Sequence, residues 1–304
     1  MTPTTSPATV TDASHTRCTN PRIATFWRAM QSASVKDWRR RRVVPQDGDV
    51  IELSSGTAIV TVDAFSGGRI GQIEIDERPY LVDEEAEAIL WGCYPMVPWA
   101  GRVGNARFEF ADRIHFLDAD APPHAIHGTG YKQMWTAIDQ GIDYVDLSCE
   151  LSWPLGGRAQ QHIVLTDDEL VCMLTVMATT QPLPATIGWH PWFRKPQRLH
   201  TAFAGMYVRG DDGLPTGEIA APPPGPWDDC FVGARHPPRL DYEHLTLTVE
   251  SDCDHWVVYD MPEHATCVEP QSGPPNAFNL GVATALEPGE ILQRVMRIRW
   301  APPA

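Results

Sequence analysis

The chain has 304 residues, of which 43% are apolar and 21% charged, a composition typical of a folded domain with a hydrophobic core. Its 24 basic and 39 acidic residues give a formal net charge of −15. This charge argues against a general binder of nucleic acid or of an anionic membrane, because both need a positive protein surface.

The sequence has no apolar run of about 18 residues, so we expect no transmembrane helix. Its start lacks a basic segment followed by an apolar core, so we expect no secretory signal. The seven cysteines are scattered and form no C-x-x-C pair, which favours reduced thiols over a disulfide framework or a zinc ribbon. These features together predict a cytoplasmic protein.

The first 45 residues differ in composition from the rest of the chain. They are rich in Thr, Ser, Ala and Pro at the start and include the run Arg39-Arg40-Arg41-Arg42. Such a run is typical of a nucleic-acid or membrane contact or of a solvated linker, and we favour the linker. We predict that residues 1–45 form a disordered or extended tail and that residues 46–304 form a single domain.

From Val50 onward, apolar and polar residues mostly alternate, which predicts half-buried β-strands. The alternation is clearest at 58–62, 145–151, 245–249 and 296–300, whereas residues 170–178 are apolar on both faces, as in a central strand. Gly- and Pro-rich turns separate these runs, and no helix longer than about two turns is indicated. The sequence therefore predicts an all-β sandwich or barrel.

Polar residues suited to chemistry occur in clusters along this β pattern. Arg102 follows two prolines and a glycine in a predicted loop, where its guanidinium fork suits hydroxyl or anionic groups. His124 and His127 lie three apart in a Gly/Pro loop; they suit a metal ion only with a third ligand, which no H-E-x-x-H or H-x-H spacing supplies.

Two later clusters carry groups suited to proton transfer. His190 lies among aromatic residues and suits proton transfer near neutral pH. Glu269 follows an apolar stretch that starts near Trp256, and we expect it at the end of one strand, where a carboxylate suits a base. Asp228 and Asp229, after a proline-rich loop, suit either hydroxyl binding or the capping of a turn.

Taken in order, these clusters resemble the aldose 1-epimerase (galactose mutarotase) family. The resemblance rests on five strings over about residues 50 to 300: PMVPWAGRVGNARFEF, HAIHG, IGWHPWFR, WDDCF and VEPQSGPPNAF. It implies a large antiparallel β-supersandwich with a sugar cleft on one face. The strand pattern independently favours the same fold class.

The resemblance also implies roles for individual residues. His190 corresponds to the general acid and Glu269 to the general base. Arg102, His127 and Asp228 correspond to sugar-binding residues, with Asp229 as the substitute for Asp228 if the register is shifted by one. The implied partner is a small sugar, either an aldose or a sugar phosphate, and the implied reaction needs no cofactor and no metal.

Alternatives remain at this stage. Arg194 and Lys195, next to the predicted cleft, suit a phosphate, which keeps a hexose-6-phosphate 1-epimerase open. A non-catalytic carbohydrate-binding module on the same fold would not need both His190 and Glu269. A metal-dependent β-sandwich enzyme would use His124 and His127. Trp99, Trp189 and Trp192 lie within the strings assigned to the cleft, so we expect sugar binding to change the tryptophan fluorescence.

Overall fold

The computed structural model describes residues 50–303, and the tail predicted for residues 1–45 lies outside this range. In chain order, the first strands are β1 Ile51–Ser55, β2 Ala58–Asp63, β3 Arg69–Ile75, β4 Arg78–Pro79, β5 Cys93–Met96, β6 Arg102–Val103, β7 Arg107–Phe110, β8 Arg113–Phe116, β9 Ala125–Ile126, β10 Thr136–Gln140, β11 Tyr144–Glu150, β12 Arg158–Leu165 and β13 Glu169–Met177. The remaining strands are β14 Leu183–Ala185, β15 Gly188–Arg194, β16 Arg198–His200, β17 Phe203–Arg209, β18 Pro215–Ala220, β19 Asp228–Ala234, β20 Arg239–Asp241, β21 Thr246–Ser251, β22 His255–Tyr259, β23 Ala265–Gln271, β24 Thr284–Leu286 and β25 Ile291–Ala301.

Two antiparallel sheets dominate this part of the chain. An 11-stranded sheet has the order β1-β2-β3-β5-β15-β23-β22-β19-β17-β18, with β4 beside β3. An 8-stranded sheet has the order β10-β11-β12-β13-β25-β21-β20-β16. Three two-stranded pairs, β6 with β9, β7 with β8 and β14 with β24, complete the strand pairing. The predicted all-β fold is confirmed.

Helical structure is sparse in residues 50–303. One α-helix, α1, spans Ala277–Leu280, and 3-10 turns span Gly104–Ala106 and Gly130–Lys132. None of the helices in this range is long and apolar enough to cross a membrane.

The hydrophobic core lies between the two large sheets. Strand β12 alternates between half-buried and buried residues along its whole length, because alternate side chains point to opposite faces of a sheet. Strand β13 lies between β12 and β25 and is buried at nearly every position, as the apolar run at 170–178 predicts. A hydrogen bond from Trp189 Nε1 in one sheet to Gln161 Oε1 in the other, 3.0 Å long, joins the two layers through the core.

Candidate active site

The cleft lies on the face of the 11-stranded sheet that points away from the core. Strand register brings side chains from neighbouring strands side by side on this face. Val257 is paired with Glu269 on one side and with Cys230 on the other. Two residues along, Tyr259 is paired with Cys267 and Asp228 in the same way, so the sheet presents two parallel rows of side chains to the cleft.

A cavity of about 370 Å³ opens above these rows. Its lining includes all five residues predicted as the site from the sequence, namely Arg102, His127, His190, Asp228 and Glu269. These five are separated by up to 167 positions in the chain, and the strand order of the sheet brings them together.

Glu269 lies inside strand β23, which corrects the expectation that it ends a strand starting near Trp256. The apolar stretch is two strands, β22 and β23, joined by a turn and paired antiparallel. The turn is marked in the sequence by Asp260, Pro262, Glu263 and His264, a polar stretch with a proline that the expectation of one strand overlooked. Glu269 lies opposite Val257, two residues before the end of a central strand of the 11-stranded sheet.

His190 and Glu269 form a buried pair at the floor of the cavity. His190 Nε2 lies 3.3 Å from Glu269 Oε1, and the residues are 5% and 2% exposed. Gln271 Nε2 donates a hydrogen bond of 3.0 Å to the second oxygen, Glu269 Oε2. The imidazole stacks on Tyr94 and Trp192, with ring centroids 4.9 and 5.3 Å away.

Burial makes both charged forms of this pair unfavourable. Burial, with a smaller contribution from the nearby cation of Arg69, lowers the pKa of His190 to about 3. Burial, together with the negative charge of Asp228, raises the pKa of Glu269 well above its ordinary value. The unliganded pair therefore holds one proton over a wide pH range, as a neutral carboxylic acid beside a neutral imidazole.

His127 presents a fixed hydrogen-bond donor to the cavity. Burial lowers the pKa of His127 well below its ordinary value, so the ring is neutral. Its Nδ1 accepts a hydrogen bond of 3.3 Å from the backbone N–H of Gly101. A neutral imidazole carries one N–H, so the proton lies on Nε2. Gly128, with φ of +76°, lets this loop approach Val97, whose carbonyl oxygen would lie 2.1 Å from an added Cβ.

Asp228 and Asp229 both line the cavity and share one cation, Arg209. Arg209 Nη1 donates to the backbone oxygen and to Oδ2 of Asp228, at 2.7 and 3.1 Å. Arg209 Nε lies 3.3 Å from Asp229 Oδ1. Both aspartates belong to strand β19. The sequence analysis left hydroxyl binding and turn capping open for them, and the structure adds the ion pairs with Arg209.

Arg209 and Gln271 are cavity residues that the sequence analysis missed. Gln271 lies two residues after Glu269 in an extended segment, and this spacing is the one signal that places both on the same face of a strand. Arg209 gives no such signal, because its contact with β19 depends on the pairing of β17 with β19.

Of the three tryptophans in the strings assigned to the cleft, two lie in the core. Trp189 is fully buried between the sheets, because it points to the face of β15 opposite to His190 and Trp192. Trp99 is 2% exposed and packs against Trp153 and Phe278. Trp192 lines the cavity.

The two cations that suit a phosphate lie outside the cavity lining. Arg194 forms an ion pair with Asp83 and donates a hydrogen bond of 2.9 Å to the backbone oxygen of Leu81. Lys195 Nζ donates to the backbone oxygens of Asp260 and Pro262, at 2.6 and 3.0 Å.

Within residues 50–303, the donor atoms spaced closely enough for a metal ion belong to the buried His–Glu pair and a neighbouring thiol. One donor atom each of His190, Cys267 and Glu269 lies within 4.8 Å of the others. His124 is used otherwise: its Nδ1 accepts from the backbone N–H of Asn105 at 3.1 Å, and its Nε2 lies 3.2 Å from the backbone oxygen of Asp212.

Comparisons with known proteins identify the family. The sequence profile described as aldose 1-epimerase matches residues 66–299. The match covers more than half of the chain, and the protein belongs to the aldose 1-epimerase family.

Individual relatives share most of their length with this chain. The uncharacterized protein YphB of Escherichia coli K12 is 27% identical over 289 residues, which are 83% of this chain and 99% of that protein. The crystal structure of a putative aldose 1-epimerase from Escherichia coli K12 has a TM-score of 0.75 at 25% identity and covers 84% of this chain and 99% of its own. A galactose mutarotase-like protein from Clostridium acetobutylicum has the same fold, with a TM-score of 0.75 at 14% identity, over 87% of this chain and 100% of its own.

Proposed function

We propose that the protein is an aldose 1-epimerase that interconverts the α and β anomers of a free aldose. The observation that carries the proposal is the buried His190–Glu269 contact of 3.3 Å at the floor of a sugar-sized cavity. Ring opening removes a proton from the C1 hydroxyl and adds one to the ring oxygen. Both oxygens are bonded to the same carbon, so the acid and the base must lie within a few ångströms of each other, as they do here.

The mechanism assigns Glu269 as the base and His190 as the acid. Glu269 takes the proton of the C1 hydroxyl while His190 protonates the ring oxygen, the bond from C1 to the ring oxygen breaks and an open-chain aldehyde forms. Rotation about C1–C2 exposes the other face of the aldehyde. Ring closure then returns each proton by the same route, and the anomer is inverted.

The two protonation states that the reaction needs are each favoured by part of the site. Opening starts from carboxylate and imidazolium and ends with carboxylic acid and neutral imidazole. The second state is the one that burial favours in the unliganded protein. The first state is supported by the Gln271 hydrogen bond and by the positive charge of Arg102, which both lower the pKa of Glu269.

Substrate binding is assigned to the remaining polar lining. Arg102 and the Nε2–H of His127 donate to sugar oxygens, and Asp228 accepts from sugar hydroxyls. Trp192 offers an apolar surface to the C–H face of a pyranose.

Charge favours a free aldose over a sugar phosphate. Four carboxyl groups line the cavity, those of Asp120, Asp228, Asp229 and Glu269. Of the two lining guanidinium groups, Arg209 already pairs with two of these carboxylates, so that Arg102 is the cation left for a ligand. Asp120 pairs with Lys132, and burial keeps Glu269 neutral, so the two lining guanidinium groups are balanced by Asp228 and Asp229. A dianionic phosphate would therefore meet no net positive charge there.

Anomer exchange measured by NMR tests this proposal. Equilibrated aldoses and hexose 6-phosphates would each be mixed with the protein, and exchange between the α and β anomeric proton signals recorded. We expect faster exchange with at least one free aldose and little with the phosphates. A rate equal to that of the buffer for every sugar, despite sugar binding, would favour a carbohydrate-binding module on the same fold.

A further inference from the structure

Arg69 is a fully buried arginine whose partners are backbone carbonyls. It is 0% exposed, and its guanidinium donates to the oxygens of Ser66 at 2.5 Å, Ala88 at 2.7 Å, Trp91 at 3.0 Å and Tyr131 at 3.4 Å. No carboxylate within residues 50–303 forms an ion pair with it. Burying a cation without a counter-charge is costly, so these four contacts and the aromatic rings around them must offset the loss of water.

Two of those carbonyls belong to a segment that forms one wall of the cavity. Residues 88–91, here called the shelf, place Ile89 and Leu90 in the cavity lining. Arg69 holds the shelf at both ends, through Ala88 and Trp91. Between these points, the backbone oxygen of Ile89 accepts hydrogen bonds from Tyr94 Oη at 3.1 Å and from Trp192 Nε1 at 2.8 Å.

The side chains that hold the middle of the shelf also contact the catalytic imidazole. Tyr94 and Trp192 both stack on His190. The guanidinium of Arg69 lies 4.1 Å from the ring centre of Trp91 and 5.3 Å from that of Tyr94. Arg69, the shelf and the two rings on His190 thus form one continuous set of contacts.

We propose that Arg69 is a positioning residue that fixes the shelf as the apolar wall of the sugar site and, through Tyr94 and Trp192, the plane of His190. The inference rests on the proposed function for its kinetic consequences, but the hold of Arg69 on the shelf does not. The planar fork of arginine is needed because a lysine ammonium has only three donors and cannot reach four carbonyls in different directions.

The kinetic test compares Arg69→Lys with a control of similar burial. In Arg69→Lys the shelf loses anchors, so Ile89 and Leu90 no longer meet the sugar and KM for the aldose rises about tenfold, the effect of one lost aliphatic contact. Gln161→Met removes buried hydrogen bonds to Gly68 O and Trp189 Nε1 on the core side of the sheet. It should lower the melting temperature while leaving KM unchanged.

Tyr94→Phe provides a second variant that does not depend on the folding of Arg69→Lys. It removes the hydroxyl that donates to Ile89 O and keeps the ring on His190, so we expect a rise in KM smaller than that in Arg69→Lys. A KM for Arg69→Lys equal to that of the wild type, or a rise of the same size in Gln161→Met, would overturn the inference. If Arg69→Lys does not fold, an unchanged KM in Tyr94→Phe would do so.

A second readout is independent of activity. The indole N–H of Trp192, assigned in an NMR spectrum by its loss in Trp192→Phe, reports the bond to Ile89 O. We expect its exchange with solvent to be at least tenfold faster in Arg69→Lys and unchanged in Gln161→Met. Unchanged exchange in Arg69→Lys refutes the hold on the shelf, even if no aldose is found to react, whereas failure to react with any aldose refutes only the proposed function.

Discussion

At the scale of single residues, His190 and Glu269 should set the rate. His190→Asn and Glu269→Gln are nearly isosteric and each removes a proton-transfer group, so each should slow anomer exchange by about 10²- to 10⁴-fold, or about 3–5 kcal/mol of barrier. The double variant should be little slower than the slower single one, because proton removal and delivery belong to one event. Saturation transfer between the anomeric signals measures the rates.

His124→Asn is the matched control for these two variants. His124 is buried like His190 but bonds to the backbone of neighbouring loops and is not part of the cavity lining. It should retain most of the activity. Folded His190→Asn or Glu269→Gln protein with near wild-type turnover would instead support the non-catalytic binding module.

The shifted pKa values predict a broad pH profile for kcat/KM. With ordinary values of 6.5 and 4.5, a His–Glu pair would hold one proton only between these two pH values. Here the His190 pKa of about 3 moves the acid limb down, and the raised pKa of Glu269 moves the alkaline limb up. We expect nearly equal kcat/KM at pH 5.5 and 7.5 after subtraction of the buffer rate. A narrow maximum near pH 5.5 would contradict the neutral pair.

The proposed reaction runs on proton transfer, so removal of metal ions should leave it intact. The test is useful because donor atoms of His190, Cys267 and Glu269 lie close enough together to bind one metal ion. Protein dialysed exhaustively against a chelator should retain its full rate, with metal content measured by mass spectrometry. Loss of activity that zinc or manganese restores would show that these three residues hold a catalytic ion.

At the scale of secondary-structure elements, strand β15 carries two tryptophans on opposite faces, and only one of them should respond to sugar binding in its fluorescence. Trp192 points to the cavity and Trp189 to the core. Sugar binding should therefore change tryptophan emission in the wild type and in Trp189→Phe, but much less in Trp192→Phe. Fluorescence titration with the aldose found by NMR measures this. An undiminished response in Trp192→Phe would place the sugar elsewhere.

The strands also show how far sequence periodicity reaches. Alternation predicted half-buried strands such as β2 and β11, and the fully apolar run predicted the central position of β13, because burial on one or both faces follows from the residue pattern. Periodicity does not assign Trp189 to the core and Trp192 to the cavity, because a run that is apolar on both faces does not say which face meets which.

At the scale of the whole molecule, buried Glu269 should lower the free energy of unfolding as the pH rises. A group with a raised pKa in the folded state contributes stability that is present below its unfolded pKa of about 4.5 and is lost as pH rises toward its folded value. Glu269→Gln has no such titration. Its melting temperature should therefore exceed that of the wild type increasingly between pH 5 and 8, as measured by calorimetry. A constant difference over that range would argue against the raised pKa.

The sequence by itself determined the fold class, the family and the identity of the main polar residues. Strand alternation records burial locally, and the five strings keep His190, Glu269 and Arg102 in recognisable contexts. Tertiary structure alone decided which groups meet. Residues far apart in the chain become neighbours only when the strands pair, so these contacts depend on strand order and register. They include the contact of His190 with Glu269, the ion pair of Asp228 with Arg209 and the burial of Arg69.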